Sequence, residues 1–303
     1  MKFGKVKDIQ NIQFILPDSH PDTAKILAKE PNKQNLNAYI GCPAWANKTW
    51  IGKIYPPKTP ARNYLKFYAV QFNAIELNTT FYRIPNIDTV ERWYNMTGSN
   101  FKFCPKIPQI ISHHKKLEDC NDLIQSFTLA VNQFQEKLGT CFMVLPSSFN
   151  TNHLHTLEIF CHQWPASIPL AIEFRNPNWF ARTHIFNQTF QLLAHHNISS
   201  IITDTAGRRD VLHQRLSTST AFIRLVGNEL HPTDYSRVDN WVQQISAWQK
   251  QYLQNLYIFV HQPEETLGPE LVNYFIQELN AYCKLELRPL NYLPKLGIQS
   301  KLF

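Results

Sequence analysis

Hydrophobic and polar positions follow two periods along this chain. Short runs of β-branched and aromatic residues recur, separated by longer stretches in which apolar residues return every three or four positions. The short runs are YIGC (39–42), NAIELN (73–78), FKFCPK (101–106), TCFMVLP (140–146), PLAIEFR (169–175), SSIITD (199–204), AFIRLVG (221–227) and LYIFVH (256–261). Helical candidates between and after them are ARNYLKFYAV, NDLIQSFTLAVNQFQEKL, HIFNQTFQLLAHH, WVQQISAWQKQYLQ and ELVNYFIQELNAYC. Strand alternating with helix predicts a parallel sheet, and eight such strands predict an α/β fold of the (β/α)8 TIM-barrel type. The sixth unit is the weak one, because TAGRRDVLHQRLSTS leaves room for a short helix at most. An open doubly wound sheet is the alternative architecture. The proline-bearing ILPDSHP at 15–21 marks an irregular lead-in, so an N-terminal extension is expected at 1–37 and a barrel domain at 38–303.

Alternation inside the strands points to chemistry. In PLAIEFR, Ala171, Glu173 and Arg175 share one face while Leu170, Ile172 and Phe174 share the other. A strand buried on both faces should read as a continuous apolar run, so the charged face marks a buried ion pair or a site. Glu76 and Asn78 likewise oppose Ile75 and Leu77, and Lys106 opposes Phe101 and Phe103. Later strands carry Asp204, Arg224 and His261 at or near their C-terminal ends, the end where barrels build active sites. Three carboxylates (Glu76, Glu173, Asp204) thus stand against three cations (Lys106, Arg175, Arg224). A self-neutralising network would add little net stability, since desolvation offsets much of the Coulomb gain. The set reads as a ligand site, with a purely structural network as the alternative.

Composition narrows the class. At 303 residues the chain can hold a barrel of about 250 residues with an extension, and 44% apolar with 13% aromatic residues excludes disorder by composition. Thirty Lys and Arg against 23 Asp and Glu give a net charge of +7. That balance favours anionic partners, although no dense basic run is present. The six cysteines show no CxxC or zinc-type spacing and read as reduced packing residues. MKFGKVKDIQ lacks an apolar leader core, and no run of about 18 apolar residues occurs, so the expected compartment is the cytoplasm, without membrane insertion.

Several stretches resemble the YecE-like family, catalogued as domain of unknown function DUF72. They are YIGCPAWANKTWIGKIYP, YAVQFNAIELNTTFYRIP, FKFCPKIP with ISHHKKL, IEFRNPNWF, DTAGRRDVLH, FIRLVGNELHPTD and FVHQPEE, and together they run from about Tyr39 to the last helix. The resemblance implies a TIM-type barrel, related in some descriptions to sugar isomerases, with no established activity. It carries the glutamate of the IELN motif onto Glu76, the lysine after the third strand onto Lys106, and the EFR pair onto Glu173 and Arg175. A tryptophan motif after the first strand falls on Trp45, followed by Trp50 and Tyr55. Many members have asparagine where this chain has His261.

The residues suit proton transfer on a small polar or phosphorylated sugar-like ligand. Glu76 and Glu173 would divide acid and base roles while Lys106, Arg175 or Arg224 stabilises an anion. Glycoside hydrolysis uses the same carboxylate pair. Trp45, Asn78, Tyr82, Asp204, Arg208, Arg224 and His261 are the expected ligand-binding residues. Trp50, Phe81 and Trp179 are further aromatic candidates for the pocket wall, with packing as their ordinary use. Phosphate would find backbone amides at the Gly207-Arg208-Arg209 and Gly227-Asn228 turns. No cofactor is expected, since GxGxxG and P-loop motifs are absent. A divalent metal on Glu76, Glu173, Asp204 and His261 stays open, with the three cations arguing against it. The pairs His113/His114, His153/His155 and His195/His196 read as solvated or packing residues, and Cys104 as core. The alternative from another class is a non-catalytic polyanion binder, such as a nucleic-acid binder. It would use Lys48, Lys53, Lys58, Arg62, Lys66, Lys115, Lys116, Arg208 and Arg209. A barrel with no catalysis is the third reading.

Overall fold

The computed structural model describes residues 4–29 and 35–294. Residues 1–3 and 30–34 of the expected extension, and 295–303 of the expected barrel domain, lie outside the described residues. A short helix α1 (Pro21–Leu27) precedes strand β1 (Asn37–Gly41), then α2 (Tyr64–Gln71), β2 (Ala74–Leu77), α3 (Ile87–Asn95), β3 (Lys102–Pro105), α4 (Asn121–Asn132) and β4 (Cys141–Val144). The second half continues with α5 (Leu154–Gln163), β5 (Leu170–Glu173), α6 (Asn178–Ala181), α7 (Thr183–His195), β6 (Ser199–Asp204), β7 (Thr220–Val226), α8 (Pro232–Lys250), β8 (Asn255–His261) and α9 (Gly268–Cys283). Each of the eight apolar runs forms a strand, and every ladder is parallel.

Hydrogen-bonded ladders join β1-β8-β7-β6-β5-β4 into one six-stranded sheet and β2-β3 into a second. The two groups meet at two seams of different make. Between β3 and β4 the backbone does the joining: Gly139 N–H donates to Phe103 O at 2.7 Å and Ile107 N–H to Phe142 O at 2.8 Å. Between β1 and β2 side chains take over. Asn73 accepts from Ile40 N–H at 2.7 Å and donates to Ala38 O at 2.9 Å. The Tyr68 hydroxyl accepts from Cys42 N–H at 2.8 Å and lies 2.9 Å from both Cys42 O and Ala74 O, either of which can take its proton. Gly41 is required at this seam, since a Cβ there would come within 2.0 Å of Ala74 O.

The alternation sorts apolar side chains into two cores. Ala74, Cys104, Phe142, Val144, Ala171, Ile201, Phe222, Tyr257 and Phe259, with Tyr39 beside them, form one cluster on the inner face of the strands. Neighbours such as Ile75, Phe103, Met143, Ile172, Ile202, Ile223 and Ile258 face the helices in the larger core. Six free cysteines are all buried. No helix among the described residues is long and apolar enough to cross a membrane.

The sixth unit holds only a 3-10 turn at Arg209–Val211, and helix α1 occupies the place its missing helix would take. The turn residue Pro21 and a His20 side chain accepting from Asp22 N–H start α1. Thr23 Oγ1 accepts from Leu216 N–H at 3.1 Å, His20 N–H donates to Gln214 O, and Asp22 pairs with Arg215 at 2.7 Å. On one side His20 meets the Phe186 ring of α7, and on the other Trp248 of α8 donates to Ser19 Oγ at 3.2 Å. The segment before α1 crosses the C-terminal end of β6, where Gly207 N–H donates to Gly4 O at 2.9 Å and Arg209 to Ile15 O at 2.9 Å.

Candidate active site

Two residues beyond the inner apolar layer, the same inward face of the strands turns polar. Ala74 is followed by Glu76, Cys104 by Lys106, Ala171 by Glu173, Ile201 by Thr203, Phe222 by Arg224 and Phe259 by His261. Arg224 is the centre of this layer. Its Nε donates to Glu76 Oε1 at 2.5 Å and its Nη1 to Glu173 Oε2 at 2.5 Å, so one guanidinium spans both carboxylates. Arg175 Nε donates to the other Glu173 oxygen at 2.6 Å, and Asn78 Nδ2 reaches Glu76 Oε2 at 3.5 Å. His261 Nε2 lies 3.0 Å from Glu76 Oε2 and 3.3 Å from Arg224 Nη2. A neutral imidazole donates that proton to the glutamate, which leaves the Arg224 approach as a contact.

Burial works against ionisation of the two glutamates, and their partners outweigh it. Arg224 and His261 hold the Glu76 carboxyl well below the usual carboxylate range. Arg175 and Arg224 hold Glu173 at about 2 despite its burial. Burial lowers the His261 pKa against the opposing pull of Glu76. The cation partners thus bias both carboxyls toward the anion, which disfavours a division into acid and base.

Lys106 behaves differently. Its Nζ lies 4.1 Å from the centre of the Phe81 ring and 5.9 Å from that of Phe142. No carboxylate among the described residues comes within salt-bridge distance of it. Burial, then the charge of Arg224, brings its pKa down to about 8. Two residues escaped the reading of the sequence. His113, set aside there as a packing or solvated histidine, packs edge-on to Phe81 with ring centres 5.1 Å apart. Burial, with Lys106 and Arg175 nearby, lowers its pKa to about 4. Thr203 is 3% exposed and its Oγ1 has no hydrogen-bond partner among the described residues.

Other expected residues lie elsewhere. Asp204 faces the helix layer, one residue out of register with the inward face. It accepts from Trp241 Nε1 at 2.8 Å and pairs with Arg237 at 2.9 Å and with Arg209. The three-against-three balance expected of the strand ends is corrected accordingly: Glu76 and Glu173 pair with Arg224 and Arg175 while Lys106 shares their layer, and Asp204 belongs to a second network. Arg208 stands at the edge, paired with Asp210 at 2.8 Å and donating to Arg175 O at 2.9 Å. Trp45 packs against Trp93 with centres 5.7 Å apart, and Tyr82 is 74% exposed beside Phe81. Trp50 and Trp179, each 1% exposed, are packing residues with no face toward a ligand.

Both expected phosphate turns have amides already taken by other segments. Gly207 N–H is taken by Gly4 O, while the buried Asp234 carboxylate accepts from Asn228 N–H at 2.7 Å and Leu230 N–H at 3.1 Å. Among the described residues no three His, Cys, Asp or Glu side chains form a group able to hold a metal ion. Between Glu76 and Glu173 the Arg224 guanidinium already supplies the cation.

These features define a class: a parallel α/β protein with a buried arginine–carboxylate cluster and a half-buried lysine at the C-terminal ends of its strands. The chain belongs to the family described as protein of unknown function DUF72, whose model matches residues 39–293. It is similar to the YecE protein of Escherichia coli K12, 27% identical over 283 residues that cover 88% of this chain and 99% of that protein. It is also similar to YunF of Bacillus subtilis, 27% identical over 150 residues, 47% of this chain and 52% of the relative. A DUF72 family protein of Enterococcus faecalis superposes with a TM-score of 0.67 at 15% identity, covering 84% of this chain and 98% of its own. One from Thermotoga maritima gives 0.63 at 21% identity, covering 80% and 99%. At these identities the likeness of the structures concerns the fold.

Proposed function

We propose that the two ladders act as one closed (β/α)8 barrel. We further propose that the chain is a cytoplasmic enzyme performing proton transfer on a small, polar, anionic sugar-like molecule at the C-terminal strand ends. Closure is supported by the bonded seams and by an inner core to which all eight strands contribute. Six buried free cysteines fit a reducing compartment.

One observation carries the functional reading: two carboxylates share Arg224, while Lys106 in the same layer has no carboxylate within reach among the described residues. Counting Glu76 and Glu173 against Arg175, Arg224 and Lys106 leaves one positive charge in excess, which an anionic ligand would balance. Lys106 titrates nearest to neutrality, so it suits proton transfer, with Arg224 and Arg175 fixed as electrostatic partners. Glycoside hydrolysis fits less well, because it needs a protonated carboxyl and both glutamates are held as anions. The polyanion-binding alternative loses several of its cations to internal partners, as Lys53 pairs with Glu270 at 2.5 Å and Arg209 with Asp204.

The test is thermal unfolding of wild type and Lys106→Met with sugar phosphates, neutral sugars and a short oligonucleotide, at low and high salt. A sugar phosphate at about 100 times its dissociation constant should stabilise the wild type by about 2.7 kcal/mol, and the variant should lose that gain. A salt-sensitive oligonucleotide effect alone, unchanged in the variant, would replace the enzyme with a polyanion binder.

A further inference from the structure

Lys102 and Lys106 bracket β3 and live in opposite surroundings. The Lys102 ammonium reaches the Glu136 carbonyl at an exposed position. Lys106 is half-buried against two aromatic rings; burial and the charges of Arg224 and Arg175 act against its ammonium and outweigh Glu76 and Glu173, which favour it but are committed to those arginines. Loss of water and nearby positive charge each favour the neutral amine over the ammonium, and both are routes by which proteins turn a lysine into a nucleophile. We propose that Lys106 is a covalent nucleophile that condenses with the carbonyl carbon of a small aldehyde or ketone substrate to form an imine. The inference rests on the reading of this layer as an active site and names its substrate class.

The step balances without an oxidant or reductant. The amine lone pair forms the C–N bond while the C=O π pair moves to oxygen, which takes a proton. Nitrogen gives up a proton to leave a neutral carbinolamine, and protonation of the hydroxyl expels water as the C=N bond forms. Amine, carbonyl and that last proton thus give a protonated imine plus water, and loss of the proton on nitrogen gives the neutral imine. His113 shares the Phe81 ring with Lys106 and is neutral at pH 7. Its Nδ1 meets Ser112 Oγ at 2.8 Å, which leaves Nε2 as the nitrogen to pass these protons. A protonated imine withdraws electrons from the neighbouring carbon and makes its C–H more acidic, so in the proton transfer proposed above Lys106 acts through the imine nitrogen and not as the base.

The test treats the full chain with glycolaldehyde and cyanoborohydride, which reduces an imine to a stable secondary amine, and maps the modified lysines by mass spectrometry. An amine with a pKa of about 8 is on the order of 100-fold richer in free base at pH 7 than an ordinary lysine. Lys106 should therefore be modified on the order of 10-fold faster than Lys102. The preference should fade above about pH 10, where ordinary lysines also lose their protons. Glu76 on β2, Glu173 and Arg175 at β5, Arg224 on β7 and His113 after β3 are the charged or titratable groups that set this midpoint. Lys106→Arg keeps the positive charge, so it should lose the modification while keeping a sugar-phosphate thermal shift. Modification of Lys106 no faster than Lys102 in the wild type overturns the imine, whatever the thermal shift does. Absence of the shift alone overturns the anionic ligand.

Discussion

Two buried guanidinium groups, Arg224 on β7 and Arg237 on α8, are each flanked by two carboxylates, yet their surroundings differ. Arg237 donates to Val226 O at 3.0 Å and to Asp204 O at 2.8 Å, and pairs with Asp204 and Asp234. Trp241 and Arg209 complete Asp204, and the Phe14 ring covers Arg237 with its centre 4.9 Å away. Everything there has a partner. Around Arg224 the arginine and both glutamates are equally well paired, but Lys106 lacks a counter-ion and the Thr203 hydroxyl lacks a partner among the described residues. Buried charge by itself does not distinguish a site from a strut. Groups left over after the pairing is complete do.

The largest effect should come from the completed network. Asp204→Ala leaves Arg237, Arg209 and the Trp241 N–H without their acceptor and should cost about 3–5 kcal/mol in urea unfolding. It should leave the labelling preference of Lys106 intact in the folded fraction, and loss of that preference would merge the two networks into one. Glu173→Gln should cost less, about 2 kcal/mol, because the amide oxygen still accepts from one arginine. Its clearest sign is in acid. A carboxyl held at about 2 when folded and near 4.5 when unfolded adds about 3 kcal/mol that is fully present above pH 4.5 and lost as the pH falls toward 2. The stability gap of about 2 kcal/mol between wild type and Glu173→Gln should close within that interval and invert by about 1 kcal/mol at its acid end.

Lys106→Met should move stability the other way. The folded-state pKa of about 8 lies below the unfolded value of 10.5, so at pH 7 the folded protein bears the cost of a poorly solvated ammonium. Removing it should raise stability by about 1 kcal/mol at pH 7, with ligand-dependent stabilisation lost, a trade typical of functional positions. The advantage over wild type should fade as the pH rises from about 8 and be gone above about 10.5, and a variant destabilised at pH 7 would make Lys106 a packing residue. Thr203→Val is the smallest change. It removes a buried hydroxyl with no partner, so unfolding should shift by no more than about 1 kcal/mol, toward greater stability. A loss above that size would mean the hydroxyl is engaged.

Much of this was readable from local pattern. All eight strands follow from their apolar runs, and Glu76, Lys106, Glu173 and Arg224 follow from alternation within them, because a period of two is a property of the strand itself. The Asp204 assignment failed by one residue: in SSIITD the inward series is Ile201 then Thr203, and a carboxylate drew attention away from the hydroxyl beside it. Its partners Arg237 and Trp241 lie 33 and 37 residues downstream on a helix, a distance no local pattern spans. The glycine turns resembled phosphate cradles for the same reason, since Gly4 and Asp234, which take their amides, belong to other elements. His113 carries no pattern of its own in the sequence, and only its position just after β3 places it near Lys106.

The short sixth unit was visible as a shortage of residues, and helix α1 makes up the shortage from the other end of the chain. Thr23 bonds to Leu216, 193 residues later. At a synthesis rate of 5–20 residues per second, α1 waits on the order of 10–40 s on the ribosome before its binding place exists. A seven-residue helix is too short to hold its shape alone over that time. The first helix of the described chain to be made is therefore among the last to settle, and the sheet it completes must fold with one flank uncovered until it arrives.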